Sequence, residues 1–541
     1  MKAFLMYPDR DFDRGQLLAR RERELRYRDA DNVALDLRQL LPWNADALIQ
    51  DLGLQQLFEV MAAGDKFLYE SAIVGLLASV VETEVILYRQ RVLADCIQNE
   101  ALIRDIYRIA IEAIEAERKN HSSFFARYPS GIVRRSVEVL QMFVSKLKAL
   151  RDVADRRSNE FSSDGFARLF AMLREELSDD YFDLVEYRLR QLQFRAGVLI
   201  SADLGKGNKG TDYVARTPPP EKSWFARLLA KHPPGFTYQL HPRDEAGARA
   251  LSALNDQGLN LIGDAVGRSA DHILSFFQML RTELAFYIGG LNLHAQLRQL
   301  QASTCTPVPV SSGQRKLAFV GLVDVSLALS AGKRVVGNDV NADAKSLVII
   351  TGANTGGKST FLRSVGQAHL MMQAGMFVAA ESFSAEVCDG ILTHYRREED
   401  STMESGKWDE ELSRMSAIVD HLKPNSLTLF NESFASTNER EGSQIAAHVV
   451  RALLEKQIKI FFVTHLYHFA SGFFERRYDG AKFLRAERRA DGTRPFKLIE
   501  GAPLQTSYGP DLYQSIFASE TSLNRSETPR VDDVVSERSL P

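Results

Sequence analysis

The chain has 541 residues, 45% of them hydrophobic and 25% charged, the make-up of a folded soluble protein with room for about two to four domains. A formal net charge of −3 excludes a globally basic nucleic-acid coat, although 67 Lys+Arg leave material for a local basic surface. Only Cys96, Cys305 and Cys388 occur, far apart, which excludes a disulfide framework or zinc cluster and fits a reducing cytoplasm. Met1-Lys2-Ala3-Phe4 runs at once into PDRDFDR, without the apolar core of a signal peptide, and no apolar run reaches the roughly 20 residues of a membrane span. A cytoplasmic protein with no membrane partner is expected.

After an N-terminal segment, 1–44, residues from about 45 to 200 predict helices. Leu54, Leu57, Phe58 and Met61 recur at helical spacing, as do Ile73, Leu76, Leu77 and Val80, and Val137, Leu140, Phe143 and Leu147; such stripes make core. Gly205–Gly210, a turn-rich stretch between the apolar run 197–202 and Tyr213-Val214-Ala215, predicts a surface hairpin. Pro218-Pro219-Pro220 stops regular structure. A second helical block runs from about Ala246 to Gln301, and Ser303–Gly313, with Pro307 and Pro309, reads as a connection into a second domain. Beyond about 315, strands Leu347–Ile350, Ser426–Phe430 and Ile458–Val463 alternate with helices Thr360–Gly375, Glu410–His421 and Gly442–Lys456, the signature of a mostly parallel α/β sheet. The expected division is therefore a helical domain over 45–310, with a reduced hairpin or clamp near 200–245, and an α/β domain over 311–517. The Ser/Thr/Glu/Arg-rich end, 518–541, predicts a disordered tail.

The strongest motif is Leu347–Thr360, LVIITGANTGGKST. An apolar strand leads into Gly352-Ala353-Asn354-Thr355-Gly356-Gly357-Lys358-Ser359, a match to G-x-x-x-x-G-K-[ST], and Thr360 continues into a helix. Glycines let backbone N–H groups close around phosphate oxygens, Lys358 can reach β- and γ-phosphates, and the Ser359 hydroxyl can ligate Mg²⁺. The loop predicts binding of a nucleoside triphosphate. Strand 426–430 ends in Asn431-Glu432, where an Asp–Glu pair would hold the Mg²⁺ water shell and polarise the attacking water. Asn431 offers a carbonyl without charge, and Glu432 is the candidate general base; the same pair also suits a plain strand end. His465 closes another strand, placed to contact a γ-phosphate or position water, or else to serve as a structural residue.

In this order, these residues resemble the MutS family of DNA mismatch-repair ATPases. TGANTGGKSTFLRSVG is similar to that family's TGPNMGGKST-type loop, and Asn338, Asp339 and Val340 in VGNDVN to its VPND-like approach. MMQAGMFVAAE resembles its FVPAE stretch, with Ala380 where Pro is usual. NESFASTNEREG resembles its acidic strand end and following loop, VTHLYHFA its ATH strand end, and Ser507-Tyr508-Gly509 its C-terminal SYG segment. ETEVILYRQRVLADC, with Arg89-Gln90, resembles a core or lever helix of the family. The resemblance implies an α/β ABC-type P-loop ATPase domain following a mainly α-helical lever or core domain, using ATP and Mg²⁺. It further implies a homodimer whose composite sites pair one subunit's phosphate loop with the other's signature helix. Ser401 through Glu411 is the stretch most like that signature, although Glu404–Asp409 departs from it and an ordinary polar helix start fits as well.

Departures from the family bear on function. The Phe-x-Glu motif of mismatch sensors occurs only as Phe473-Phe474-Glu475 beside the His465 strand, where it reads as structural. The region ahead of the ATPase-like stretch is expected to hold no full set of mismatch, connector, lever and clamp domains, and no nuclease-like domain is expected after it. DNA contacts are therefore expected from the helical region. Arg20-Arg21, Arg134-Arg135 and Arg156-Arg157 lie among acids and suit a solvated face, whereas Lys206 and Lys209 sit on a glycine-rich tip without nearby acids. The leading expectation is a DNA-binding ATPase with slow turnover, in mismatch repair or a recombination-related DNA transaction. The alternative is a nucleotide-switched dimeric scaffold that recruits a protein partner.

Overall fold

In a computed structural model, the structure describes residues 1–8, 41–78, 80–120, 129–194, 197–216, 239–241, 243–397, 406–489 and 491–504. The expected signature residue Ser401, Arg20-Arg21, the SYG segment at 507–509 and the tail 518–541 lie outside the described residues, as do residues 217–238 and 242 of the hairpin or clamp expected near 200–245.

Two compact units emerge. The first holds the described part of Met1–Leu41 with Met61–Gly75 and Leu87–Asn292; the second holds Pro42–Val60, Leu76–Ile86 and the described residues from Leu293 onward. This differs from a linear cut at 310/311, and hydrogen bonds explain why. Side-chain amides of Gln367 and Gln373 donate to the carbonyls of Leu52 (2.8 Å) and Val80 (3.2 Å), and Arg397 pairs with buried Asp51 at 3.1 Å. Two early stretches thereby satisfy polar groups buried in the second unit, which would otherwise cost ~1–3 kcal/mol each.

Helices come first in chain order: α1 (Ala45–Asp51), α2 (Leu54–Ala62), α3 (Lys66–Leu77), α4 (Thr83–Gln98), α5 (Glu100–Asn120), α6 (Pro129–Arg157), α7 (Asp164–Glu176) and α8 (Asp179–Gln191). Ser163 and Ser178 cap α7 and α8, each accepting a backbone N–H three residues on. The predicted hairpin is present as antiparallel β1 (Leu199–Leu204) and β2 (Gly210–Arg216). A single helix, α9 (Glu245–Gln299), follows; its 55 residues extend about 80 Å at 1.5 Å per residue. In the first unit its buried face brings Phe277 against Phe143 of α6, with ring centroids 5.5 Å apart. Buried Glu283 of α9 accepts the backbone N–H groups of Leu5 (2.6 Å) and Met6 (2.9 Å), while Arg89 of α4 donates to the Met6 carbonyl at 3.0 Å. Arg89 thus ties down the start of the chain.

The second unit contains two sheets. Ser303–Gly313, expected as connection only, contributes strand β3 (Val308–Val310). It borders a four-stranded sheet of order β3-β7-β4-β5, with β4 (Leu317–Leu322), β5 (Asn338–Asn341) and β7 (Ser382–Glu386). Pro309 is tolerated because an edge strand needs no donor on its free side. Helix α10 (Val325–Ala331) joins β4 and β5, and β6 (Leu347–Thr351) leads into α11 (Lys358–Gln373). The larger sheet has the order β12-β11-β6-β10-β9-β8, with β8 (Ile391–Tyr395), β9 (Leu427–Asn431), β10 (Lys459–Val463), β11 (Ala481–Ala486) and β12 (Leu498–Glu500). All its pairings are parallel except β11–β12. Helices α12 (Lys407–Asp420), α13 (Glu439–Glu455) and α14 (Tyr467–Glu475) occupy the crossovers. Strands β6, β8 and β10 are buried throughout, as expected for a sheet covered on both faces. Phe430, Phe462 and Phe469 stack through its core, each contributing roughly 1.5–3 kcal/mol by burial. No helix among the described residues is long and apolar enough to cross a membrane.

Candidate active site

Register places the site. Val463 of β10 pairs with Ile350 of β6 on one side and Asn431 of β9 on the other. The loops leaving these three adjacent strands, Gly352–Gly357, Glu432–Asn438 and Thr464–Leu466, therefore issue from one carboxyl edge, the place where open parallel sheets bind ligands.

The first loop turns on Gly357, whose φ of +87° at the N-cap of α11 is open to glycine without strain. Thr355 takes φ +55° and donates its hydroxyl to the Asn354 carbonyl at 2.7 Å. Gly356 packs so tightly that a Cβ there would come within 2.6 Å of Ala486 Cβ. Lys358 is 5% exposed and its Nζ donates to the carbonyls of Gly352 (3.0 Å) and Ala353 (2.9 Å). Burial lowers its pKa to about 8, opposed by Glu432 and assisted by Arg494. Thr360 continues the first turn of α11.

The second loop meets the first directly. Ser359 Oγ donates to Asn431 Oδ1 at 2.9 Å. Glu432, a non-glycine residue at φ +55°, donates its N–H to the Val463 carbonyl and accepts His465 Nε2–H on Oε1 at 3.1 Å. That hydrogen bond holds its carboxyl below the usual range against the effect of burial, with Lys358 and Arg396 adding to it. A left-handed glutamate costs about 1–3 kcal/mol and persists only where neighbours fix it.

These neighbours were not read from the sequence in this role, and Glu411 was expected only as part of the signature stretch. Glu411 of α12 is 2% exposed and its carboxylate accepts the N–H of Phe434, itself left-handed at φ +62°. His394 of β8 donates Nε2–H to the Glu411 carbonyl at 3.0 Å, and its Nδ1 lies 2.7 Å from Ser433 Oγ. Burial, with Arg414 nearby, pushes His394 down to about 4, so the ring is neutral. Gly442 of α13 completes the brace, because a Cβ there would collide with the Phe434 carbonyl. Glu411 therefore stands behind the Glu432 loop.

The loop joining β11 to β12 covers the first loop. Arg494 donates to Thr355 Oγ1, and the start of the Phe496 side chain lies 3.5 Å from where a Gly357 Cβ would be. Asn338 holds this loop by accepting Leu498 N–H (2.8 Å) and donating to the Phe496 carbonyl (3.3 Å), while Asp339 pairs with Lys497 at 3.2 Å.

The remaining candidates stand elsewhere. Lys206 and Lys209 are exposed on the β1–β2 turn of the first unit, but Asp203 and Asp212 stand on the adjoining strands, so the tip is not free of nearby acids. Arg134, Arg135 and Arg156 pair with Glu138, Glu117 and Asp152 at 3.2, 3.0 and 2.7 Å, and Arg157 pairs with Glu160. These are features of a solvated charged surface. Phe473 is buried in α14, which rules out its side chain as an exposed wedge.

The class these observations define is a mixed α/β protein with its reactive groups gathered at the carboxyl edge of a mainly parallel sheet. The chain belongs to the MutS family: residues 81–300 match the MutS2 N-terminal domain and residues 348–521 match MutS domain V. Over 226 residues it is 30% identical to the DNA mismatch repair protein MutS of Lactobacillus helveticus (strain DPC 4571), covering 39% of this chain and 26% of that protein. Identity to Endonuclease MutS2 of Streptococcus uberis (strain ATCC BAA-854 / 0140J) is 28% over 226 residues, covering 40% and 28% respectively. Identity to the DNA mismatch repair protein MSH3 of Candida glabrata is 27% over 235 residues, covering 42% and 22%. The matched region thus spans about a quarter of the length of these relatives.

Proposed function

We propose that this chain binds ATP and hydrolyses it slowly, as a dimer that uses the ATP state to control engagement of DNA. The observation that carries this reading is the convergence of Lys358, the Ser359–Asn431 pair and the Glu432–His465 pair on three adjacent strand ends. A P-loop ABC-type ATPase domain is the fold that suits them.

Backbone N–H groups from Gly352 to Gly357, with those opening α11 at Lys358, Ser359 and Thr360, cradle the phosphates. Lys358 exchanges its two carbonyl partners for β- and γ-phosphate oxygens. Ser359 Oγ and Asn431 Oδ1 lie 2.9 Å apart and are hard oxygen donors, which fits Mg²⁺ or its water shell; its charge would offset that of the phosphates. Asn431 brings only a dipole, so its hold is weaker than that of a carboxylate. Glu432, kept ionised by the hydrogen bond from His465, accepts a proton from the attacking water, while His465 is placed to sense the γ-phosphate.

The DNA-directed part rests on family membership and on the names of the relatives, which include mismatch-repair proteins and an endonuclease. Lys206 and Lys209 on the exposed hairpin are the proposed phosphate contacts. Mismatch repair or a recombination-related DNA transaction is the setting this favours. The uncharged Asn431 also favours a second reading, a nucleotide-switched scaffold that recruits a protein partner. Glu432→Gln separates the two. The hydrolytic reading expects turnover to fall about a hundredfold or more with ATP binding retained. A native protein without turnover, indistinguishable from the variant, would establish the scaffold.

A further inference from the structure

A second concave site lies in the α/β unit, away from the phosphate loop. A cavity of about 600 Å³ opens between α13 and α14, within the size range of ligand sites. Arg440 and Arg451 of α13 and Arg476 at the end of α14 line it with the imidazoles of His448 and His468. None of the three arginines has an ion-pair partner among the described residues; Arg451 instead rests over the Phe473 ring, 5.9 Å from its centroid. The floor is apolar, formed by buried Phe469 and Phe473.

A second, independent observation points to an occupant. Ser443 lines the cavity at 5% exposure, and its hydroxyl has no hydrogen-bond partner among the described residues. A buried hydroxyl left unpaired costs about 1–3 kcal/mol, a loss that an acceptor atom delivered into the cavity would recover. Three unpaired guanidiniums beside an orphan donor make a site for anionic oxygens.

We propose that this groove docks a peptide segment of a partner protein that carries carboxylates alternating with apolar side chains. The carboxylates pair with Arg440, Arg451 and Arg476, one oxygen accepts the Ser443 hydroxyl, and apolar side chains cover the phenylalanine floor. Nucleic acid fits less well. Exposed Glu439, Glu441 and Glu475 flank the same helices and would meet a continuous run of phosphates, whereas a peptide can space its charges between them. Both walls are anchored at the candidate active site. Asn438 caps α13 by accepting Glu441 N–H at 3.0 Å, and α14 begins two residues after His465.

The test is fluorescence anisotropy of the full-length chain with a labelled peptide alternating Glu and Phe, compared with its Gln–Phe counterpart. The Glu–Phe peptide is expected to bind about tenfold more tightly or better, and Arg440→Gln with Arg476→Gln to lose about that factor. Arg451→Lys, which keeps the charge, should lose less than Arg451→Gln, and Ser443→Ala should weaken binding a few-fold. Absence of binding, equal binding of the two peptides, or affinity unmoved by the arginine variants would overturn the proposal. So would competition by single-stranded oligothymidylate or pyrophosphate as effective as that by unlabelled peptide.

Discussion

Both units hold backbone with a buried carboxyl group, and among the described residues the α/β unit adds buried imidazoles. In the helical unit the carboxyl group of Glu283, on α9, is buried and accepts the backbone N–H groups of Leu5 and Met6; burial raises it to about 7. The α/β unit likewise buries carboxyl groups, Glu411 on the Phe434 N–H and Asp51 against Arg397, and adds the amides of Gln367 and Gln373 and the imidazoles of His369 and His394, both rings pushed by burial to about 4. Near the first loop a deeply seated cation, Lys358, is held by the carbonyl oxygens of Gly352 and Ala353. Both units thus use a buried carboxyl group to fix their own backbone. The α/β unit also places Lys358, Glu432 and His465 at its strand ends, where the proposed chemistry would need them.

The sharpest way to break this contrast is Lys358→Met. ATP affinity should fall about a hundredfold or more, because charge-assisted contacts to two phosphates disappear. Hydrogen-exchange protection of α9 should stay as it was. Retained ATP affinity, measured by titration calorimetry, would remove Lys358 from the site.

Acidification should divide the units. From pH 6.5 down to 4, His369 and His394 bind protons in the unfolded chain but not in the folded one. The α/β unit therefore loses stability as pH falls, on the order of 3 kcal/mol for each ring. Glu283 works the other way. With a folded value of about 7 against 4.5 unfolded, its folded state binds the extra proton in that window, so its contribution grows as pH falls from 7 to 4.5. Hydrogen exchange at pH 7 and pH 5, read separately over α9 and α11, should show protection moving in opposite directions after correction for intrinsic exchange. Loss of equal size in both units would contradict the assignment.

Much of the α/β sheet was legible in the sequence because β6, β9 and β10 are predominantly apolar runs and their helices have plain periodicity. The β1–β2 hairpin was legible for the same local reason, its glycine-rich turn. What escaped depends on pairing across long stretches of chain. Nothing local announces that Leu52 and Val80 receive hydrogen bonds from Gln367 and Gln373, so the unit boundary was misplaced. Strand β3 was hidden by Pro309, which reads as a breaker until its edge position is known. In the candidate site, Ser359, Asn431, Glu432 and His465 could be named because each closes or follows a strand. His394 was not named, and Glu411 was named only within the expected signature stretch, since their meeting with Ser433 and Phe434 follows from β8 lying beside β9.

The smallest expected effect is at Asn431. Asn431→Asp restores a charge next to Ser359 and should raise turnover and Mg²⁺ affinity a few-fold, as one added charge contact near a surface is worth about 1 kcal/mol. An unchanged rate with ATP binding intact would count against its proposed place in the metal shell.

The most direct test of the central claim is the ATPase rate per molecule measured against protein concentration, with and without duplex DNA. A composite site predicts a specific rate that rises with concentration to a plateau and responds to DNA. A rate that stays flat with concentration and is indifferent to DNA would contradict the account.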